Sequence, residues 1–266
     1  MVADLILDRQ SLARVATVEI RSSISSTMNL AHHWIKNSSL LPALFVADHQ
    51  KQGRGRFQRT WVSPSQSNLY FTLLMPLKNM HPTFSLMIGL SIAEILQDVS
   101  RDQITVKWPN DVMIQQKKLA GILIELHSLK NNPHYEWCAA IGIGINVQRS
   151  EEQSTQLTRP WITLSEIWLE EISRGLLLTK VVNELLNAAQ SFELYGWASL
   201  QARWQQRDAL FNQHIKVSQN FQPNMVLEGT AKGVDNEGRL IIISGNKQHI
   251  LSSGEVWTFQ QLPYLS

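Results

Sequence analysis

Four short apolar runs follow one another with only turns between them. Residues 104–108, 112–114, 120–127 and 135–147 have the length and the Val/Ile content of strands. Parallel neighbours need a crossover of a dozen or more residues, and the spacers here are shorter than that. These runs are therefore expected to pair antiparallel, with a hairpin turn at 115–118 between the second and third. A doubly wound parallel sheet is disfavoured, and a mixed or antiparallel α+β sheet packed with helices is expected.

The flanking sequence fits that frame. Residues 15–20 alternate apolar and polar as a half-buried strand does, and 43–48 and 68–75 read as further strands. Hydroxyls at Ser22, Ser23, Ser25, Ser26 and Thr27 precede a helical stretch over 29–36, where Leu30 and Trp34 share a face. A second helix over 83–99 aligns Phe84, Met87, Leu90 and Ile95, with Gly89 inside it as a close-packing point. Thr163-Leu-Ser-Glu166 is a capping box that predicts a helix carrying Ile167, Trp168 and Ile172. Helical patterning continues over 179–195 and 198–206.

From Ile215 the texture changes to short strands at 215–218, 226–233, 239–244, 249–251 and 256–259. Asn236-Glu-Gly238 and Ser244-Gly-Asn246 supply turn signals between them. The expected organisation is a catalytic-type α+β domain over 1–211 and a small SH3-like β-barrel over 212–266.

Composition removes several function classes. The 266 residues carry 24 Lys+Arg against 22 Asp+Glu, a net charge of +2 that argues against a general nucleic-acid coat or membrane-surface protein. One cysteine, Cys138, excludes an intrachain disulfide and a Cys-rich zinc site, and its apolar setting reads as a core thiol. Residues 1–14 place Asp4, Asp8 and Arg9 among apolar residues and lack the pattern of a secretory signal. The expectation is a cytoplasmic protein with no membrane partner.

Segment 50–61, Gln-Lys-Gln-Gly-Arg-Gly-Arg-Phe-Gln-Arg-Thr-Trp, breaks every periodicity. It holds basic residues and no acidic one, and Gly53 and Gly55 would let backbone N–H groups converge on an anion while the arginines add forked donors. It is neither the dinucleotide fingerprint, since Gln58 stands at the third glycine position, nor a P-loop. Lys107-Trp-Pro-Asn-Asp111 ends a strand at Pro109 and presents Asn110 and Asp111 at its tip. Lys118 precedes Gly121, and Gly142-Ile-Gly144-Ile-Asn146 puts two glycines inside an apolar strand, a sign of a bulge or of close approach by a ligand or backbone.

In this order and spacing, the Gln-x-x-Gly-Arg-Gly-Arg, Lys-Trp-Pro-Asn-Asp, Lys-Leu-Ala-Gly-Ile-Leu and Gly-x-Gly-Ile-Asn segments closely resemble the biotin–protein ligases. The likeness runs from about Ser25 to Phe259, including Ser26-Thr27, Trp161-Ile-Thr-Leu and Ser253-Gly-Glu-Val. It implies activation of biotin with MgATP to biotinyl-5′-AMP and pyrophosphate, then transfer to a lysine of a biotin carboxyl carrier protein. Biotin, ATP and Mg2+ are then substrates, and no tightly held prosthetic group is expected.

The resemblance also implies roles for individual residues. Arg54, Gly55 and Arg56 would line the biotin and adenylate pocket beside Gly53, with Arg56 on the carboxylate–phosphate junction. Lys118 would bridge the biotin carboxylate and the α-phosphate. Ser26, Thr27 and Gln50 would meet the ureido ring, and Gly121, Gly142 and Gly144 would floor the pocket. Arg59, Trp61, Lys107, Asn110, Asn146 and Trp161 fall on the nucleotide side. Asp111 would orient or deprotonate the acceptor lysine, and no metal ligand is assigned. Met28 departs from the Asn found after Ser-Thr in many relatives, leaving only a backbone contact there. A homodimer by edge-to-edge sheet pairing is compatible with the family.

Two rivals remain at this level. A lipoate–protein ligase would share the fold and the adenylate strategy, but the 53–56 and 107–111 segments look like the biotin family. A nucleic-acid-binding regulator would use the basic loop, yet the net charge of +2 weighs against it, as do the twenty-four residues ahead of Ser25, too few for a DNA-binding head. No specific DNA partner is expected.

Overall fold

The computed structural model describes residues 5, 7, 10–37, 40–98, 100–130, 132–168, 172–218 and 226–258. The first part of the chain contains β1 (Thr17–Ile24), α1 (Thr27–Asn37), β2 (Ala43–Gln50), β3 (Leu69–Leu77), α2 (Phe84–Gln97), β4 (Ile104–Lys107), β5 (Asp111–Ile114), β6 (Lys117–Ser128) and β7 (Trp137–Ile145). They form a seven-stranded sheet in the order β1-β2-β3-β7-β6-β5-β4. β1 and β2 are parallel, and α1 is the crossover that makes this possible; the other neighbours are antiparallel. The sheet is thus mixed, and its antiparallel half is the run of four strands joined by turns.

The β5–β6 connection is tighter than the sequence suggests. Gln115 and Gln116 alone form the turn, with φ of 46° and 63°, so β6 starts at Lys117. Two positive φ values match a primed hairpin turn, normally the place of Asn or Gly, and two glutamines conceal it.

The sheet is covered on both faces. On one, α2 buries nearly its whole surface, and an added Cβ at Gly89 would stand 3.1 Å from Val106 Cγ1. A long helix, α4 (Arg174–Tyr195), reached through the short α3 (Glu151–Gln156), packs over α2. On the other face, α1 covers a smaller cluster of Met28, Ala31, Ala43, Phe45, Leu74, Cys138 and Ala140. Burial pushes the Cys138 thiol up to about 12, so it stays protonated as an inert core group.

The capping box is real but caps something else. The Thr163 N–H donates to Glu166 Oε2 at 3.0 Å over a single 3-10 turn, Leu164–Glu166, rather than starting an α-helix. The long helix begins at Arg174 under a Ser173 cap, five residues earlier than 179. The segment after it divides into a 3-10 turn at Trp197–Ser199 and α5 (Gln201–Arg207). None of the described helices is long and apolar enough to cross a membrane.

The last strands, β8 (His214–Ser218), β9 (Val226–Val234), β10 (Leu240–Ser244), β11 (Lys247–Leu251) and β12 (Glu255–Thr258), form an antiparallel sheet in the order β11-β10-β9-β8-β12. Phe259, expected to close the last strand, lies outside the described residues. This sheet is tied to the β4–β5 tip: Trp108 Nε1 donates to the Gly238 carbonyl at 2.9 Å.

Candidate active site

The strand ends, the start of α1 and the 53–61 loop enclose a cleft of about 290 Å3. Its floor comes from β6 and β7, whose register sets Gly121 directly opposite Gly144. Trp61 lies across both: an added Cβ would stand 2.6 Å from its ring at Gly121 and 2.5 Å at Gly144. At Gly142 the Cβ would meet the Met28 methyl at 2.9 Å. Strand glycines are needed here because another side chain comes this close. The occupant of that space in this structure is the chain's own tryptophan and methionine, rather than the open floor expected for a ligand ring. The Trp61 Nε1 is buried without a hydrogen-bond partner, a donor still to be satisfied.

A hydroxyl–amide relay fixes the inner wall. Thr72 Oγ1 donates to Thr27 Oγ1 at 2.9 Å, and the Thr27 hydroxyl and N–H both donate to Gln50 Oε1 at 3.2 and 2.9 Å. Gln50 Nε2 donates to Ser63 Oγ at 3.0 Å, which in turn donates to the Trp61 carbonyl at 2.9 Å. Ser26 Oγ accepts from the Met28 N–H at 3.2 Å. This relay ties the position of the basic loop to the start of α1.

The loop itself is a narrow ribbon. Arg54 and Thr60 form an antiparallel bridge, the Trp61 N–H donates to the Gly53 carbonyl, and the Gly55 N–H donates to the Arg59 carbonyl, both at 2.8 Å. The Gly55 amide is therefore spent inside the ribbon and does not converge on an anion, contrary to the expectation from sequence. Gly53 does not line the cleft. It lies beneath, where a Cβ would stand 2.3 Å from the Trp61 carbonyl oxygen. At the ribbon tip Phe57 and Gln58 hold φ of 59° and 60°, left-handed backbone that is uncommon for side chains of this size.

Charge is concentrated on the opposite wall. Among the described lining residues are six cations, Arg54, Arg56, Arg59, Lys107, Lys118 and Arg159, and two carboxylates, Asp111 and Glu255. A concave wall with that excess attracts an anion. Lys118 Nζ lies 2.6 Å from Asp111 Oδ1 and 5.1 Å from the centre of the Trp61 ring. Arg56 donates to Asn110 Oδ1 at 3.0 Å, while Asn110 Nδ2 donates to the Ile122 carbonyl at 2.7 Å. Burial lowers the Arg56 pKa, against the opposing pull of Asp111 and Glu255. Burial also brings Lys107 down to about 8, with Asp111 raising it and Arg159 and Lys118 lowering it further. The backbone of Lys118 is anchored on both sides: its N–H donates to the Pro160 carbonyl, and its own carbonyl accepts from the Ile162 N–H and from Asn146 Nδ2.

Every residue singled out from sequence lines this cleft except Gly53. Asn146 and Trp161 do so mainly as supports. Asn146 is buried between Lys118 and Gln153 Nε2, and Trp161 carries the bridge to Lys118 under the Arg149 guanidinium, 4.3 Å from its ring.

Sequence reasoning missed Glu255 and Arg159. Glu255, at the start of β12, accepts from Arg59 and from Arg159 at 2.5 Å, so the second sheet grips the ribbon directly. Burial alone would raise the Glu255 pKa, but those two hydrogen-bonding arginines hold it below the usual value. The Ser253-Gly-Glu-Val segment was legible as part of the family resemblance, with the strand expected from 256, but nothing local reveals a partner 196 positions away.

Comparison with known proteins points one way. The profile of the biotin/lipoate A/B protein ligase family matches residues 20–146, and that of the biotin protein ligase C-terminal domain matches 210–257. The bifunctional ligase/repressor BirA of Escherichia coli is 33% identical over 200 residues, covering 74% of this chain and 60% of BirA. The biotin–[acetyl-CoA-carboxylase] ligase of Mycobacterium tuberculosis is 24% identical over 225 residues, covering 80% of this chain and 77% of that protein. The solved structure of the Aquifex aeolicus biotin protein ligase in complex with biotin and ATP superposes with a TM-score of 0.75 at 25% identity, covering 91% of this chain and 99% of the other. The chain spans about three fifths of the length of the bifunctional relatives of Escherichia coli and Salmonella typhimurium.

Proposed function

Because the chain belongs to the biotin/lipoate A/B protein ligase family, we propose that it is an ATP-dependent biotin–protein ligase. Biotin carboxylate attacks the α-phosphorus of MgATP, pyrophosphate leaves, and biotinyl-5′-AMP remains. The amine of a lysine on a biotin carboxyl carrier protein then attacks the acyl carbon, a proton is lost, and AMP leaves. The observation that carries this reading is the convergence of Lys118, Arg56 and Lys107 around Asp111, in a pocket that the Thr27–Gln50 relay also lines.

The chemistry needs that wall. Bringing a carboxylate to about 4 Å from a phosphate costs roughly 4 kcal/mol per charge pair at an effective dielectric near 20. Fixed cations offset the repulsion, most of all as charge builds on the reacting oxygens. Lys118 supplies the central charge, held ready against Asp111 at 2.6 Å. When the substrate anions take over Lys118, Asp111 is released beside the reacting centre, where it can accept a proton from the acceptor amine. Mg2+ would enter with the nucleotide, on its phosphate oxygens, and Glu255 is committed to Arg59 and Arg159. Biotin lies against the Thr27–Gln50 relay, with Trp61 displaced from Gly121 and Gly144 to admit it.

Arg56→Gly removes the cation held against Asn110 and should let the mixed anhydride escape. With biotin, MgATP and an added bystander protein, a streptavidin blot is expected to show label on bystander lysines as well as on the carrier. Label confined to the carrier lysine would contradict the retention role.

Lys107 gives a pH signature. Its ammonium is charged below about 8 and neutral above, so the cleft loses a cation as pH rises through that value. The KM for MgATP should therefore climb as the pH is raised from about one unit below that value to about one unit above it. Lys107→Arg, which stays charged, should flatten the climb. An identical pH profile in both proteins would exclude Lys107 from nucleotide binding.

A further inference from the structure

A second constellation lies under α1, outside the cleft. Leu123, Glu125 and His127 alternate on the face of β6 that turns toward α1, where Leu123 packs on the small apolar cluster. His32, one turn into α1, comes down onto the same spot, and its ring meets that of His127 edge-on at 4.9 Å. One ligand atom from each of His32, Glu125 and His127 falls within 4.8 Å of the others, and all three residues are half-buried.

The way these atoms meet is informative. His32 Nε2 pairs with Glu125 Oε2 at 2.6 Å, while His127 Nε2, buried beside them, has no hydrogen-bond partner. Buried ring nitrogens in folded proteins are normally satisfied, and one left over beside a carboxylate that already holds a second imidazole calls for an explanation. A bound cation supplies it, because it takes lone pairs from all three at once. Imidazole and carboxylate together suit zinc and its neighbours rather than calcium or magnesium. About a tetrahedral zinc, ligand atoms at roughly 2.0–2.1 Å from the metal stand about 3.4 Å from one another, so modest ring rotations close the set.

We propose that His32, Glu125 and His127 form a binding site for a divalent transition cation of the zinc class, with water in the fourth position. The ligands sit on a helix and a strand that are already packed together, which is the rigid support such a site needs. Arg54 donates to Glu125 Oε1 at 2.6 Å, leaving Oε2 for the cation, and Glu125 thereby joins the site to the basic ribbon. Metal binding here can be measured without reference to ligase activity.

Tag-free full-length protein titrated with Co2+ should develop the visible absorption of a tetrahedral nitrogen–oxygen site, saturating at one ion per chain and bleached by added Zn2+. Zn2+ should also raise the melting temperature. His127→Gln and His32→Gln should each weaken Co2+ binding by at least about tenfold, the loss that even an outer-shell substitution brings. His33→Gln, an exposed neighbour, should leave it unchanged. Melting each variant with EDTA checks folding, and one folded ligand variant is enough to decide the matter. No saturable absorption in the native protein, or native-like affinity in a folded ligand variant, would overturn the site.

Discussion

Lys118→Ala is expected to slow pyrophosphate release by about a hundredfold to a thousandfold, while biotin affinity stays within a few-fold of the native value. Removing one preorganised charge from a developing anion typically costs that much. The asymmetry follows from position. Lys118 already has a carboxylate, Asp111 at 2.6 Å, so an incoming carboxylate merely exchanges partners and gains little. As the carboxylate closes on phosphorus, charge rises between Lys118 and Arg56, and the interaction is then stronger than in the ground state. Lys118 and Asp111 are partly exposed, so the lone Asp111 left behind stays hydrated and the fold should hold. Single-turnover pyrophosphate release and calorimetric biotin titration separate the two effects. Equal losses in both would show Lys118 to be a simple binding group.

Arg174→Met should destabilise the protein by about 3–5 kcal/mol, the usual loss when one member of a buried ion pair is removed. Arg174 is 2% exposed and Asp48 5%, and the guanidinium donates to Asp48 Oδ1 and to the Asn68 carbonyl, each at 2.9 Å. Without it, Asp48 Oδ1 keeps the Gln66 N–H at 3.0 Å among the described residues, on a carboxylate that is buried. The pair also locates the cleft. Asp48 lies two residues before Gln50 on β2, and Asn68 connects through its side chain to Gln153 and to the Val147 N–H, next to Asn146. Urea unfolding should therefore show a lower midpoint, and Asp48→Leu added to Arg174→Met should recover part of the loss. A loss below about 1 kcal/mol, or a double variant no better than the single one, would contradict the buried-charge explanation.

What could be read from sequence divides by the range of the interaction. The antiparallel meander follows from local spacing, because short turns leave strands no alternative, and the close approach at Gly142 and Gly144 follows from glycine standing where strands avoid it. Lys118 and Asp111 lie on the two strands of one hairpin, so their meeting is also local. By contrast, Arg174 and Asp48 are 126 residues apart, and a single arginine at a helix start carries no mark of burial. Glu255 likewise reaches Arg59 only because the last sheet folds back on the ribbon. Local signals also misled. The Thr163 capping box has the right side chains but caps one 3-10 turn, and Gln115-Gln116 makes a primed turn without its usual residues. Gly53 and Gly55 suggested an anion nest, whereas one amide is consumed by Arg59 and the other glycine makes room for the Trp61 carbonyl.

Activation of biotin in this cleft is tested most directly by pyrophosphate release from purified protein and MgATP, measured in parallel with biotin, lipoate and octanoate. Release is expected with biotin and only background with the other two, since neither offers a ureido ring to the Thr27–Gln50 relay. Strong release with lipoate and none with biotin would contradict it.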